Sequence, residues 1–435
     1  MNYMSVLLLI SLGGYNPTTL IKPPYRHSFG YYRASKYYLR IYLGPGFRVD
    51  NPQGVAAVKM IEEDDPRTSK DDAQLTLFAV NSGQGQIIYN CKFEAVKIYG
   101  RRGSGKGRFL SPMGIGASPT GLVCVADMGN DRVVILRYRN GKLHYESEIS
   151  GLARPHDVAI DSRDRIYIAN TGRSEILVYE GDSLLYRFGV EGYEPGKLHH
   201  PTAIAVIDSG ARYNDEKNEF LVVIDQNRHR IQKFSLDGEL KAVTSYIAIG
   251  LDDAEFSYLA IDRHGNIYAT DRYNHQIHKF DHRLRYIISV GREGGGALEF
   301  YEPRGISVGR RYGQVFLTEK EGGQYLWIGI DAYLIGFFPQ TFTIKRPGTT
   351  IALYITDVAR LKMSIVNDNG DIIRSFFDDL IETPGEHLIV WDGRDNYGRI
   401  VPPGDYELRV WVKATYGSRF YFKKELSGRI RCVGS

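Results

Sequence analysis

Three cysteines in 435 residues, Cys91, Cys124 and Cys432, are too few and too scattered to frame a disulfide scaffold or a zinc knuckle. No run reaches the roughly 18 consecutive apolar residues that a membrane helix needs, so no membrane span is expected. Charge of one sign is also scarce: 55 Lys and Arg stand against 51 Asp and Glu, a net +4, which by itself implies no nucleic acid partner. No serine in a nucleophile elbow, no Cys–His pair at meaningful spacing and no paired carboxylates stand out. What is present is 43% hydrophobic and 24% charged residues, enough for two or three domains with real cores. Cys124 replaces an aliphatic residue in an apolar run and reads as a small buried hydrophobe.

The chain is organised around a repeat. In VCVADMGNDRVVIL (residues 123–136) an apolar strand runs into Asp127, a polar turn follows, and Arg132 opens a returning strand. With Asp127 in register, gapless copies centre on Asn81, Asn170, Asp225, Asp271 and Glu319, making six. Five places on, each copy has a polar residue: Gln86, Arg132, Glu175, Arg230, Gln276 and Gln324. Another apolar strand precedes each copy. Five of these open with proline, at Pro52, Pro112, Pro155, Pro201 and Pro303, and Ser257-Tyr258 is read as the sixth opening. A period of about 40 to 50 residues with several strands per repeat predicts propeller blades.

Pro155-His156-Asp157-Val158-Ala159-Ile160-Asp161, then Ile166-Tyr167-Ile168-Ala169-Asn170, together with Asp127, Asn130 and Arg132, resemble NHL repeats. The resemblance implies an all-β, six-bladed NHL/TolB-like propeller over residues 37–338. It fixes function weakly, because NHL propellers include RNA binders, protein binders and a few lyases.

Residues 1–36 are a leader. The apolar run within residues 1–14 reads as the h-region of an export signal, or else as a core strand or leader, since no Lys or Arg precedes it and no A-x-A site follows. The run Tyr37-Tyr38-Leu39-Arg40-Ile41-Tyr42-Leu43 reads as the strand that closes the last blade. Two charged insertions, residues 60–74 and 208–219, fall between first and second strands and so belong on one face.

Past residue 338 the repeat stops, and residues 341–433 show alternating strands with turns at Asp368-Asn369-Gly370 and Pro402-Pro403-Gly404, the texture of a small antiparallel sandwich. Trp391-Asp392-Gly393-Arg394-Asp395, with Gly398, Gly404 and Tyr406, resembles the FlgD-like Ig domain of the flagellar hook-capping protein, a module appended to many exported bacterial proteins. All these residues have structural roles, with Trp391 in the core.

Residues 100–107 nearly spell a phosphate-binding loop, but Gly107 stands where a hydroxyl belongs and no helix can follow, so the segment reads as an interblade link. Some propeller lyases hold a channel metal on histidines from equivalent blade positions. The residues after the blade openings here are Gln53, Met113, His156, Thr202, Tyr258 and Arg304, a channel set with one imidazole, so no metal and no cofactor are expected. The column from Asn81 to Glu319 is acidic enough to suggest a calcium ring, yet it recurs in every blade, and side-chain bonds to turn amides explain it better.

Charge placement is the remaining signal. The face made by second-to-third turns and interblade links gathers Arg132, Arg228, Arg230, Arg272 and Arg304, with Tyr273 among them. The expected function is non-catalytic recognition of a protein or anionic glycan through that basic face, in an extracytoplasmic protein, with the Ig-like domain as spacer or docking module. The alternatives are a lyase or lactonase with a channel metal and a cytoplasmic RNA-binding propeller. The sequence does not set the oligomeric state.

Overall fold

A computed structural model describes residues 17–23, 33–64, 74–91 and 95–434. The candidate export signal in residues 1–14 and most of the first insertion, residues 65–73, lie outside the described residues. The chain is nearly all β and divides into two compact units, residues 22–327 and residues 328–435 with 1–21.

The larger unit is built from antiparallel four-stranded sheets in which the strands follow chain order. The first sheet comprises Pro52–Val58, Thr76–Asn81, Gln86–Cys91 and Ala95–Tyr99; the third comprises Pro155–Ile160, Arg165–Asn170, Glu175–Glu180 and Ser183–Phe188. Five such sheets are present among the described residues, and Ile306–Gly309, Gln314–Glu319 and Gly322–Ile328 pair antiparallel in a sixth. Their opening strands, Pro52–Val58, Pro112–Ala117, Pro155–Ile160, Pro201–Ile207, Phe256–Ile261 and Ile306–Gly309, touch one another in that order, and the sixth returns to the first. At that return Ser307 Oγ accepts from the Ala57 amide at 3.0 Å and Arg304 donates to the Pro52 carbonyl at 3.0 Å. Apolar side chains from both faces of the sheets pack between neighbours, as where Phe78 and Tyr89 meet Tyr138 of the next sheet.

Two expectations are corrected here. Residues 37–43 do not form a strand. They lie in the helix Lys36–Leu43, where Ser35 caps the first turn by accepting from the Tyr38 amide and Gly44 ends the last. The fifth sheet opens at Phe256-Ser257, not Ser257-Tyr258. Phe256 pairs with Asp271 as Pro155 pairs with Asn170 and Pro201 with Asp225, so Tyr258 stands one step deeper than the set to which it was assigned.

The links between sheets share one device. Gly100, Gly189 and Gly291 have φ of +85°, +76° and +108°, and a side chain on them would collide with Phe109, Leu198 and Phe300, all fully buried under the link. Residues 100–107 are such a link, with Arg101–Arg102 pairing with Arg108–Phe109.

The smaller unit has a three-stranded sheet, Ala332–Phe338, Thr349–Ile355 and Gly385–Trp391, and a five-stranded one in the order Thr341–Thr343, Lys424–Val433, Gly404–Ala414, Ala359–Asn367, Ile372–Glu382. The break expected at 338–341 therefore falls inside this unit, after Ala332–Phe338. One pairing, Thr341–Thr343 with Lys424–Val433, is parallel, so the sheets are not purely antiparallel. Trp391 is fully buried, edge-on to Phe342 and Tyr406 at 5.3 and 5.6 Å, and donates its Nε1–H to the Arg394 carbonyl.

Candidate functional site: the cavity inside the opening strands

The acidic column is structural. Asn81, Asp127, Asn170, Asp225 and Asp271 each accept, through Oδ1, from a backbone amide just before an opening strand: Asp50, Leu110, Ala153, His199 and Glu255, at 2.6–3.0 Å. The amides belong to the links rather than to the turns, apart from Tyr273 and Asn274 on Asp271. The second side-chain oxygen or the amide group reaches the polar residue five places on in several copies, as from Asp127 to Arg132 and from Asn170 to Glu175.

This arrangement consumes much of the basic turn face. Arg132 is buried, paired with Asp127 at 2.9 Å and Glu148 at 2.8 Å, and donates to the Arg108 carbonyl. Arg230 is buried on Asp225 at 2.8 Å and donates to the carbonyls of Tyr193, Glu194 and Lys197. Arg304 is buried against Asn51, Pro52 and Glu302. Burial pushes the Asp127 and Asp225 carboxyls up, and the link amide and guanidinium on each pull back. Of the expected face, solvent meets Tyr273, Arg272, which is paired with Glu255 at 2.5 Å, and half-buried Arg228, whose guanidinium lies 3.7 Å from the Tyr193 ring centre.

The expected channel set divides into two levels. Gln53, Met113, His156 and Thr202, with Ser257, occupy the second position of their strands, whereas Arg304 lies just before the sixth opening strand, which starts at Ile306 rather than at the expected Pro303. This level offers one imidazole, and among the described residues no three His, Cys, Asp or Glu side chains gather for a cation. Burial holds His156 down to about 4, so its imidazole is neutral at pH 7. Tyr258 sits at the third position, level with Gly54, Gly114, Asp157, Ala203 and Gly305. Its hydroxyl crosses to Gln53 Oε1 at 3.3 Å, and the ring is 4% exposed, so it stops the passage between the opening strands. The glycines at this level leave the room: a side chain on Gly114 would sit 2.0 Å from Asp157 Oδ1.

Beyond Tyr258, toward the ends of the opening strands that carry the insertions, lies a cavity of about 550 Å³. Tyr258 and Asp157 line it, and of the expected channel residues only Tyr258 does. Asp157 accepts from the amides of Val158 at 2.9 Å and Ile204 at 3.0 Å, and burial raises its carboxyl to about 7. Its lining also includes Arg310, which donates to the carbonyls of Val206 and Ile261, and Arg311, whose guanidinium lies 5.7 Å from the Tyr213 ring centre and 4.7 Å from that of Tyr312. Arg212 lies 5.1 Å from the Tyr213 ring centre and 3.6 Å from Asp64. Asp157, Arg212, Arg310 and Arg311 lie outside the channel set and the basic turn face that the sequence suggests. Asp157 and Tyr258 were legible as the bulky exceptions in a column otherwise Gly or Ala.

One further cluster has the order of an acyl-transfer triad: Asp271 Oδ2 to His278 Nε2 at 3.0 Å, and His278 Nδ1 to Ser289 Oγ at 2.7 Å. The Ser289 hydroxyl is also held by Tyr286 at 2.6 Å, and His278 is fully buried, so the group works as a packed polar network.

The family model of the NHL repeat matches residues 152–179, which span the first three strands of the third sheet. No curated protein sequence matches the chain. Among solved structures, a streptogramin B lyase is 14% identical with a TM-score of 0.42, covering 65% of this chain and 94% of its own. A gluconolactonase from Xanthomonas campestris is 14% identical with a TM-score of 0.45, covering 73% of this chain and 99% of its own. PorZ, a surface component of the type-IX secretion system of Porphyromonas gingivalis, is 12% identical with a TM-score of 0.42, covering 82% of this chain and 58% of its own. Among the described residues no helix is long and apolar enough to cross a membrane. Residues 152–179 carry an NHL repeat, and the sheets around them form a β-propeller-type fold.

Proposed function

We propose that the larger unit is a closed six-bladed propeller, that the smaller is a FlgD-like Ig-like domain serving as spacer or docking module, and that the protein acts outside the cytoplasm as a non-catalytic binder of an anionic ligand, a protein or a glycan. Recognition is assigned to the cavity rather than to the turn face. The observation that carries this is Arg311, a guanidinium lying near two tyrosine rings at a cavity of about 550 Å³, within the size range of small-ligand sites. On the turn face Arg132 and Arg230 are committed to backbone carbonyls of the links, and Arg304 to that of Pro52 in the first opening strand.

The test is fluorescence anisotropy with labelled hexaglutamate and a heparin tetrasaccharide at low salt. Arg212→Gln with Arg311→Gln is expected to weaken the better ligand at least tenfold, and binding should fall steeply as salt rises. Arg228→Gln with Arg272→Gln should change it less than twofold. The reverse pattern would return recognition to the turn face, and indifference to both pairs and to salt would sink the anionic reading altogether.

A further inference from the structure

The floor of the cavity carries the opposite charge to its lining arginines, and that determines what fits. Asp157 is buried, and among the described residues its side chain accepts hydrogen bonds from two amides, those of Val158 and Ile204. A carboxylate has about four acceptor sites, so two remain beyond those that the described residues fill. A carboxylate without a cation is a costly thing to bury, and here it lines an open space rather than packed core. Two residues further along the same neighbouring strand, the Val206 carbonyl receives Arg310, and Arg311 follows. Two residues of strand rise by about 7 Å.

We propose that the cavity takes a dipolar, peptide-like ligand, with an ammonium group at Asp157 and a carboxylate about two peptide units away at Arg310 and Arg311. An extended peptide covers about 3.3–3.6 Å per residue, so the span matches two residues of ligand. Tyr258 closes the passage behind Asp157, so the cationic end stops there instead of threading through. The inference rests on the reading of the cavity as the recognition site and adds the chemistry of the ligand's two ends.

The probes are the dipeptide Gly-Glu, its N-acetyl form, which lacks the cation, and Gly-Gln-amide, which lacks both carboxylates, titrated calorimetrically into the full chain. Gly-Glu should bind, and each altered dipeptide should bind at least tenfold more weakly. In Asp157→Asn the penalty for acetylation should shrink to within twofold while the amide penalty persists; in Arg311→Gln the opposite should hold. The wild-type series needs no variant to fold, so it decides the matter even if Asp157→Asn is unstable. Absence of Gly-Glu binding, or equal binding of all three dipeptides, overturns the proposal. If that occurs while hexaglutamate or heparin still binds through Arg212 and Arg311, the dipolar ligand falls and the cavity reading stands; if neither class binds, both fall.

Discussion

Replacing Arg230 by alanine is expected to lower the unfolding free energy by about 3–5 kcal/mol, the usual cost of removing one partner from a buried ion pair. Its side chain satisfies the Asp225 carboxylate and ties down three carbonyls of the link that enters the fourth sheet. Without it, Asp225 keeps a buried charge and the link loses its anchor. Arg132, on Asp127 and the Arg108 carbonyl, should behave alike. Exposed Arg272, paired with Glu255 at the surface, should cost less than about 1 kcal/mol when truncated. Denaturant melts of the three alanine variants give the comparison, and an Arg230→Ala midpoint indistinguishable from that of Arg272→Ala would refute the structural role. The distinction bears on function, because lost binding in an Arg230 variant would report a damaged sheet rather than a lost contact.

The roles of these arginines were half legible. In the repeat column, arginine appears five places on only where the column residue is Asp, at Asp127 with Arg132 and Asp225 with Arg230; the other copies pair with Gln or Glu. That correlation signals an inward ion pair, whereas location on a turn suggests an exposed cation. The repeat itself was plain because six copies reinforce one another. At Phe256 no proline marks the opening and register alone fixes it: the opening stands 15 residues before the column residue in the second, third and fifth sheets alike. Residues 37–43 were ambiguous because their apolar side chains fit either period, and only Ser35 and Gly44 at the two ends marked a helix. The cavity was invisible for another reason. Its lining combines several successive residues of all six opening strands with residues after Ile306–Gly309 and within the second insertion, and nothing local to any of them announces a shared space.

The pH dependence of stability should separate two adjacent buried groups. Asp157 rises from an ordinary 3.8 to about 7 on folding because burial disfavours its charge. A raised folded value means that its contribution is fully present below pH 4 and is lost as pH climbs through 7, a change of about 4 kcal/mol at 1.36 kcal/mol per unit. Glu319, also buried and raised to about 7, acts in the same direction. His156 is the opposite case: its folded value drops to about 4, so its contribution is present above pH 6.5 and lost as pH falls through 4. Between pH 4 and 7 the carboxyl groups and the imidazole therefore work against each other, and the wild-type profile should be flatter than any one of them implies. Asp157→Asn removes one side of the balance. Measured against wild type by urea unfolding, it should be relatively more stable at pH 8 than at pH 4, whereas His156→Gln should gain relative to wild type at the acid end. Parallel wild-type and Asp157→Asn profiles over this range would show that the Asp157 carboxyl titrates as it would in water, and the cavity floor would then be wet and screened rather than the desolvated seat proposed for a ligand's cation.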